Sequence, residues 1–534
     1  MKEKSVKYCS LLGVAGLMLA PMLSAAPYQF NESAYRQDVK TLASDQFEGR
    51  APLSKGELLT VTYLEKTMKE IGLAPAFGKS YLQKVPMAKI TPTNPDMQLR
   101  IGDMTFKLAD DFIARTEQIT KQVDVKDSEV VFVGYGINAP EYGWNDYAGI
   151  DVKGKTVIVL VNDPGFATQD PNVFKGNAMT YYGRWTYKYE EAARQGAKAV
   201  FIVHETAPAA YGWNVVRAGG TSTRYTLVDK NDNMSKVGIM GWIQHDVAQK
   251  VFAKAGIDFD QIKHTAEKPG FKAMPLHMTA NLTLKNHIER AESHNVAGLL
   301  RGTKYPDEWI VMQAHWDHLG KEMVDGKEVI YNGAVDNASG VAGVLDLARN
   351  FKALAGEDAP ERSVLFASFT AEETGLIGAQ YFAENPPVPT KQIVSLLNID
   401  GMNMGQGVDY ILRYGDGVSE LEKYMADAAK KQGRHVNPDP RPQNGLMFRS
   451  DHFALAKEGV PGLLFMSLGD TDPDYIPHKY HQGADDYEAG WKLEGVHQDL
   501  DLISDVIYKL SHNRDWPKWL EESDFKKRRA QDGR

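Results

Sequence analysis

Two adjacent acids, Glu372 and Glu373, follow the β-branched and aromatic run SVLFASF in the stretch SVLFASFTAEETGLIGAQYF. Because neighbouring side chains of an extended segment point to opposite sides, we expect the two carboxylates to have different surroundings. A buried carboxylate is costly unless a cation neutralises it or it exchanges a proton. The pair predicts a metal ligand beside a proton carrier, although a solvated acidic turn also explains two adjacent glutamates.

Other polar residues also stand at the ends of apolar runs. They are His315 at the end of IVMQAH, then Asp317 and His318, Asp336 in NGAVDNASG, Asp400 at the end of QIVSLLNID, and His481 in YHQGADD. The carboxyl ends of strands in an α/β sheet meet at one edge, where ligands bind. Imidazole and carboxylate groups are ligands for zinc and related metals. Together these residues predict a metal site.

The segment that must position these residues alternates between strands and helices from about residue 289. The apolar runs EWIVMQAH, SVLFASF, QIVSLLNID and PGLLFMSLG are separated by the helical patterns GVAGVLDLARNFKAL and GAQYFAEN. Near-continuous apolar strands belong to sheets that helices cover on both faces. We therefore predict an α/β fold with its main part in residues 286–514.

The remaining residues divide into shorter units. Residues 27–118 begin with two helical patterns, and residues 119–285 form a small α/β unit with strands such as KTVIVLV and AVFIV around the helix EEAARQGAK. Residues 515–534 are rich in charge, and we expect them to be a surface extension. The chain thus predicts a large α/β domain interrupted by a smaller one.

Residues 1–26 predict a signal peptide. Lys2, Lys4 and Lys7 precede the apolar stretch LLGVAGLMLAPML, and small residues follow it at positions 24–26. No later segment supplies the roughly 18 uninterrupted apolar residues that a spanning helix needs. We expect an exported protein, periplasmic or secreted, with no membrane span in the mature chain.

Composition limits the possible chemistry of the 534-residue chain. With 43% hydrophobic and 25% charged residues the chain has globular composition. Its one cysteine, Cys9, lies in the predicted signal peptide, so the mature chain must build a metal site from His, Asp and Glu. The formal net charge of −9 argues against a nucleic-acid partner. Nothing in the sequence indicates the oligomeric state.

The chain resembles the zinc-dependent exopeptidases that include secreted bacterial aminopeptidases and glutamate carboxypeptidase II. The matching motifs are AHWDH, GAVDNASG, FTAEETGLIGA, NIDGM and YHQGADD, in family order, and the resemblance extends to about residue 510. It implies a mixed, mainly parallel sheet, with residues 27–118 as the N-terminal part of the peptidase domain. It also implies that residues 119–285 are an inserted protease-associated domain.

The resemblance implies two zinc ions held by five residues. Asp336 would bridge the ions, His315 and Asp400 would complete one site, and Glu373 and His481 would complete the other. The spacing from His315 to Asp336 is longer than the compact family pattern, which changes the rim of the site but leaves the ligands in place.

The same resemblance makes Glu372 the general base that moves a proton from water to the leaving amine. Asp317 follows His315 by two positions, and we expect its carboxylate to orient the His315 ring. The Tyr480 hydroxyl either helps to hold the oxyanion or belongs to a packed loop tyrosine. His318 and His452 match no ligand position, and we expect them to be ordinary hydrogen-bonded histidines.

The resemblance predicts an aminopeptidase that acts on peptides with a free N-terminus, because the site is rich in carboxylates. A carboxypeptidase would need fixed arginines for the substrate carboxylate, and Arg441 and Arg449 are the candidates near the motifs. A single-zinc transferase similar to glutaminyl cyclase and a non-catalytic protein similar to the transferrin receptor are further alternatives. The second is disfavoured because all five expected ligands and the base are present.

Overall fold

The computed structural model describes residues 28–415, 417–468, 471–521, 523, 525–531 and 533. The predicted signal peptide, residues 1–26, lies outside the described residues. The α-helices are Glu32–Leu42, Lys55–Ile71, Pro164–Thr168, Trp185–Arg194, Thr206–Ala209, Trp213–Thr221, His245–Lys254, Phe259–Ala266, Gly340–Ala353, Ile377–Glu384, Leu421–Lys431, His452–Lys457, Tyr475–His478, Glu494–His512 and Lys526–Gln531.

One part of the sheet carries the sequence motifs. Its strands, in spatial order, are Gly462–Phe465, Ile393–Ile399, Tyr305–His315, Arg362–Phe369, the C-terminal half of Met274–Leu300, Leu82–Pro92 and Arg224–Leu227, with Ala74–Pro75 beside Met274–Leu300. The first four strands are parallel to one another, and the others pair in antiparallel fashion. This part is therefore a mixed sheet with a parallel centre.

Helices cover both faces of this parallel centre. Along the strand Tyr305–His315, Ile310 and Met312 pack with the helices Gly340–Ala353 and Glu494–His512, whereas Val311 packs on the other face with Ile377–Glu384. Successive side chains of a strand point to opposite faces, so an apolar residue at every position requires a layer on each side. The predicted α/β fold class is confirmed.

A second part of the sheet belongs to the smaller unit. Its strands, in spatial order, are Met104–Lys107, Gln98–Ile101, the N-terminal half of Met274–Leu300, Gln122–Phe132, Thr156–Leu160, Ala199–His204, Ile239–Gln244 and Phe112–Arg115. Separate hydrophobic clusters, which include Phe132, Phe201 and Phe252, pack against it. The smaller unit therefore has its own core.

The long strand Met274–Leu300 joins the two parts. Its residues up to Lys285 pair with Gln122–Phe132, and from Asn286 onward it pairs with Leu82–Pro92. The three strands between Gln98 and Arg115 belong to the second part. The smaller unit therefore begins before residue 119, the boundary that the sequence predicted. Short-range patterns did not reveal this because pairing partners are distant in sequence.

In the described residues, three small two-stranded sheets lie outside the main sheet. They are Gly320–Val324 with Lys327–Tyr331, Tyr410–Arg413 with His435–Pro438, and Asn138–Ala139 with Trp144–Asn145. The first is a hairpin that accounts for the long spacing between His315 and Asp336.

The C-terminal residues pack against the large domain, which differs from the predicted surface extension. Trp519 and Phe525 are buried with Phe448 and Phe453. The Arg529 guanidinium donates hydrogen bonds to the carbonyl oxygens of Thr390 (3.0 Å) and Ile393 (2.7 Å). The high content of charged residues in this segment did not reveal that Trp519 and Phe525 anchor it to the large domain.

Among the described residues, none of the helices has the length and apolar content that crossing a bilayer requires.

Candidate metal centre

Three parallel strands deliver polar residues to one edge of the sheet. His315 is the last residue of its strand and is paired in register with Phe369 of the neighbouring strand. Asp400 directly follows Ile393–Ile399, and Glu372 lies three residues beyond Phe369. Parallel strands bring their carboxyl ends to the same edge, so the fold itself gathers these groups.

The first group of possible ligands consists of His315, Asp336 and Asp400. The Nε2 atom of His315 lies 3.4 Å from Oδ1 of Asp336 and 3.4 Å from Oδ1 of Asp400. Burial opposes a charge on His315, but the surrounding carboxylates outweigh it and raise the His315 pKa well above its usual range. The group therefore favours a cation.

The second group shares Asp336 with the first. The Nε2 atom of His481 lies 3.1 Å from Oδ2 of Asp336 and 3.1 Å from Oε2 of Glu373. Burial opposes the shift, but hydrogen bonds to these two carboxylates raise the pKa of His481 to about 10. The two oxygens of Asp336 thus face different histidines, which is the arrangement that a bridging carboxylate requires.

His318 also lies inside this cluster. Its Nδ1 atom is 2.7 Å from Oε1 of Glu373, the oxygen that His481 does not contact. Its side chain is fully buried, and ligand atoms of His318, Asp336 and Glu373 lie within 4.8 Å of one another. His318 therefore orients Glu373 and offers a further nitrogen to a cation there. Its position three residues after His315 is the sequence signal for this role.

The paired acids have different surroundings, as predicted, but for a different reason. Both lie in a turn beyond the strand rather than on the strand itself. Burial raises the pKa of Glu372 well above its usual range; His315 opposes this shift, and Asp400 adds to it. Burial also opposes ionisation of Glu373, but hydrogen bonds from His318 and His481 lower its pKa to about 2. Glu372 is therefore suited to hold a proton and Glu373 to hold a cation.

Asp317 acts on the turn rather than on the His315 ring. Its carboxylate accepts hydrogen bonds from the backbone N–H groups of Glu372 (3.0 Å) and Glu373 (3.3 Å). Nδ1 of His315 lies 3.1 Å from the carbonyl oxygen of Asp317 and 3.8 Å from its carboxylate. The prediction that the Asp317 carboxylate orients the ring was wrong, because the carbonyl is closer and the carboxylate is engaged by the turn.

Tyr480 lies against the second group. Its ring stacks on His481 with 3.9 Å between centroids and 24° between planes. Burial, followed by the nearby charges of Asp336 and Glu373, raises the pKa of the Tyr480 hydroxyl well above its usual range. The hydroxyl therefore stays protonated and remains a hydrogen-bond donor.

His452 is not part of the metal-binding groups. Its side chain is fully buried, and burial lowers its pKa to about 3. Among the described residues neither ring nitrogen has a hydrogen-bond partner that meets ordinary geometry. A backbone hydrogen bond at Met447 opposes this shift only in part, so His452 is a buried neutral ring.

Two residues that support the site were not identified from the sequence. Asp485, in the motif YHQGADD, accepts hydrogen bonds from the backbone N–H groups of Val335 (2.9 Å) and Asp336 (3.1 Å). Arg50 donates to the carbonyl oxygens of Trp316 (2.8 Å) and Gly333 (2.9 Å), on either side of the hairpin. The first acid of the quoted motif YHQGADD could have indicated Asp485, whereas nothing local marks Arg50.

The metal-binding residues open into a cavity of about 1960 Å³. Ordinary small-molecule pockets measure roughly 300–1,000 Å³, so this cavity has room for a peptide. The cavity wall includes Glu372, Tyr480 and His481 together with residues of the smaller unit. The fold and the site together define an α/β protein with two adjoining groups of candidate metal ligands beside a large cavity.

The part of the chain that carries these residues is similar to a known family. Residues 295–505 match the sequence model of Peptidase family M28. That range contains all five predicted ligands and Glu372. This part of the chain, which holds the candidate ligands, is therefore similar to Peptidase family M28.

Two relatives illustrate the range of this similarity. Over 398 residues the chain is 23% identical to Aminopeptidase YwaD of Bacillus subtilis (strain 168), which covers 72% of this chain and 70% of that protein. Over 242 residues it is 27% identical to Probable glutamate carboxypeptidase AMP1 of Arabidopsis thaliana, which covers 43% of this chain. The match spans only 31% of the length of the plant protein.

A solved structure shows the same fold. The Aminopeptidase from Aneurinibacillus sp. strain AM-1 superposes with a TM-score of 0.51 and 21% sequence identity, covering 91% of this chain and 95% of that one. The likeness therefore includes the smaller unit as well as the metal-binding domain.

Proposed function

We propose that this protein is an exported zinc aminopeptidase that holds two zinc ions and removes N-terminal residues from peptides. The observation that carries the proposal is the pair of metal-binding groups that share Asp336, with Glu372 beside them. The family match and the similarity to an aminopeptidase support it.

The residues present fit two zinc ions. Each group supplies three protein ligands of the types that zinc binds, and a catalytic zinc site keeps its remaining position open. The high pKa values of His315 and His481 have the same origin, because the carboxylates attract positive charge to the positions that the ions would take. Burial of so many carboxylates near one another is otherwise unfavourable.

Bound zinc would supply polarisation of the scissile carbonyl and activation of a water molecule. Glu372 takes a proton from the attacking water and returns it to the leaving amine nitrogen, as its position beside the ligands allows, because nearby bound cations would favour its ionised form. The protonated Tyr480 hydroxyl donates to the oxygen that becomes negatively charged. Asp317 and Asp485 hold the backbone that carries Glu372 and Asp336 in place.

The excess of carboxylates supports recognition of the positively charged N-terminus. Glu372 and Asp400 both line the cavity beside the metal-binding groups. Acetylation of the substrate N-terminus removes its charge and leaves these acidic groups facing a neutral amide. Loss of a charge-assisted hydrogen bond costs roughly 1.5–3 kcal/mol, which is a factor of at least about ten.

The decisive experiment measures kcat/KM for one tripeptide with a free and with an acetylated N-terminus. We expect at least about a tenfold loss on acetylation. Equal cleavage of both peptides would contradict the aminopeptidase proposal, and preferential cleavage of the acetylated peptide from its C-terminus would indicate a carboxypeptidase.

The carboxypeptidase alternative has support of its own. One relative is named a probable glutamate carboxypeptidase, and the cavity wall contains several arginines. A single-zinc cyclase would instead show one zinc per chain and faster cyclisation of N-terminal glutamine than peptide hydrolysis. A non-catalytic binding protein would bind peptides without turnover.

Export is supported by the sequence of residues 1–26, where three lysines precede an apolar stretch. N-terminal sequencing of the protein purified from its native cells tests this point. A mature chain that begins near residue 27 is expected, and an intact Met1 would contradict it.

A further inference from the structure

A group of arginines lies in the wall of the same cavity. Arg115 ends the strand Phe112–Arg115, Arg184 precedes the helix Trp185–Arg194, and Arg224 begins the strand Arg224–Leu227. Arg449, from the large domain, completes the group. We refer to Arg115, Arg184, Arg224 and Arg449 as the arginine wall.

Arg184 is the buried member of the arginine wall. Its side chain belongs to a residue that is 8% exposed, and its Nε atom has no hydrogen-bond partner among the described residues. Burial, followed by the nearby charge of Arg449, lowers the pKa of the Arg184 guanidinium to about 9. A buried cation without a partner is costly, so the site favours an anion.

Another buried arginine shows how a purely structural guanidinium is satisfied. Arg50 is 1% exposed, and each of its three nitrogens donates to a backbone carbonyl oxygen. Arg184 makes no ion pair and no side-chain hydrogen bond with any residue that the structure describes. The difference indicates that Arg184 serves a ligand rather than the fold.

The other members of the arginine wall also lack acidic partners. Among the described residues, no carboxylate lies within 4.0 Å of the guanidinium groups of Arg115, Arg224 or Arg449. Arg115 lies over the ring of Trp185 (5.2 Å), and Arg224 donates to the carbonyl oxygen of Gly219 (2.7 Å). Burial, followed by the charge of Arg115, lowers the pKa of Arg224 to about 10.

Several other cations in the cavity wall are paired, unlike the arginine wall. Lys236 lies 2.5 Å from Glu117, and Arg194 lies 2.7 Å from Glu191. Arg441 also lines the cavity without an ion pair to a described residue, so Arg184 is distinguished by its burial. The cavity thus has an excess of carboxylates at the metal centre, whereas its wall has guanidinium groups without a carboxylate partner among the described residues.

We propose that the arginine wall binds a carboxylate of the peptide substrate, with Arg184 and Arg449 as its principal contacts. The proposal rests on the peptidase function proposed above and specifies its substrate class. A planar guanidinium forms two parallel hydrogen bonds with a carboxylate, which fixes the orientation of the peptide as well as its charge. The preferred substrates are peptides that carry a free amino group at one end and a carboxylate within the cavity.

The carboxylate can come from the C-terminus of a short peptide or from an acidic side chain. To distinguish these sources, kcat/KM is measured for an apolar tripeptide and its C-terminal amide. A second pair consists of amidated dipeptides that differ only in Glu or Gln at the second position. The N-acetylated tripeptide is included as a separate arm.

In the unmodified protein, we expect loss of the relevant carboxylate to lower kcat/KM at least about tenfold, mainly through KM. A loss in the tripeptide pair identifies the C-terminus as the source, and a loss in the dipeptide pair identifies the side chain. In Arg184→Gln and in Arg449→Gln, removal of the same carboxylate from the substrate should lower kcat/KM by only about twofold or less. Arg184→Lys should keep only part of the preference for the substrate with the carboxylate, because lysine keeps the charge but cannot form the two parallel hydrogen bonds.

Arg301→Gln is the matched control, because Arg301 is exposed and lies outside the cavity. This variant should keep the discrimination of the unmodified protein. Arg449→Gln tests the proposal even if Arg184→Gln fails to fold. Arg449 is exposed, so we expect its substitution to leave folding intact, whereas Arg184 is buried.

Two results would overturn the arginine-wall proposal. One is that neither peptide pair differs by more than about twofold in the unmodified protein, and the other is that Arg184→Gln and Arg449→Gln retain the full discrimination. The kcat/KM value for the N-acetylated tripeptide tests the aminopeptidase proposal separately from the arginine-wall proposal. If the acetylated tripeptide is cleaved well and its amide is not, the carboxylate site stands and the activity is that of a carboxypeptidase.

Discussion

The metal centre and the arginine wall are two regions of one cavity with opposite uncompensated charge. At the metal centre, carboxylates outnumber cations, and the pKa of His481 rises to about 10 despite burial. In the arginine wall, the guanidinium groups have no carboxylate partner in the part of the chain that the structure describes, and burial lowers the pKa of Arg184 to about 9. Folding does not favour either arrangement, so both indicate binding partners that are separate from the polypeptide.

The two regions also differ in how they are supported. Asp317, Asp485 and Arg50 hold the backbone of the metal centre through hydrogen bonds to main-chain groups. The arginine wall is assembled from both units of the molecule, and no described residue holds the Arg184 side chain by a hydrogen bond. We infer that the metal centre is rigid enough for catalysis, while the arginine wall acquires its order from the bound carboxylate.

Removal of metal should have the largest effect, because it acts on the metal centre alone. We expect elemental analysis to find two zinc ions per chain and chelation to abolish hydrolysis, since five protein ligands with one bridging carboxylate form two sites. Added zinc should restore activity. Full activity with one tightly bound metal or none would contradict the two-zinc proposal.

Substitution of the paired acids should separate proton transfer from metal binding. Glu372→Gln should retain both metals and lower kcat by about 10²–10⁴, because the amide keeps the shape of the side chain but cannot accept a proton. Glu373→Gln is the matched variant and should lose metal from the site that His481 shares. Equal metal loss in the two variants would show that the general base is another residue.

Asp485→Asn tests whether the support of Asp336 matters. We expect metal affinity to fall about 10–100-fold, because the carboxylate that holds the backbone N–H groups of Val335 and Asp336 loses its charge. Titration with a competing chelator measures this change. Asp474→Asn is a control in an exposed position near the same loop. Equal affinities in the two variants would show that Asp485 does not position the ligand.

Salt should have the smallest effect, and it should act on the arginine wall. Raising the ionic strength from about 0.05 M to about 0.5 M shortens the Debye length severalfold and weakens attraction to exposed charges such as Arg449. We expect KM for a peptide with a free carboxylate to rise about two- to threefold, with kcat unchanged. The KM of its amide should change less; an equal rise for both would argue against a charge-based contact.

Much of the metal centre was predictable because its residues occupy local positions that a pattern reveals. His315 and Asp400 end apolar runs, and such runs become parallel strands whose carboxyl ends meet. The two parts of the α/β fold were also visible as alternating strands and helices. Even the contrast between Glu372 and Glu373 was anticipated, although its cause is a turn held by Asp317 and not strand alternation.

The sequence by itself determined which residue types reach the catalytic edge, because the periodicity of strands and the positions of their ends are local properties. Only the tertiary structure decided which distant groups surround that edge. It placed Arg50 beneath the metal centre, joined the strands before residue 119 to the smaller unit, and packed the charge-rich C-terminus onto the large domain. It also brought Arg115, Arg184 and Arg224 into one cavity with Arg449. These arrangements depend on packing between segments hundreds of residues apart, which no short sequence pattern encodes.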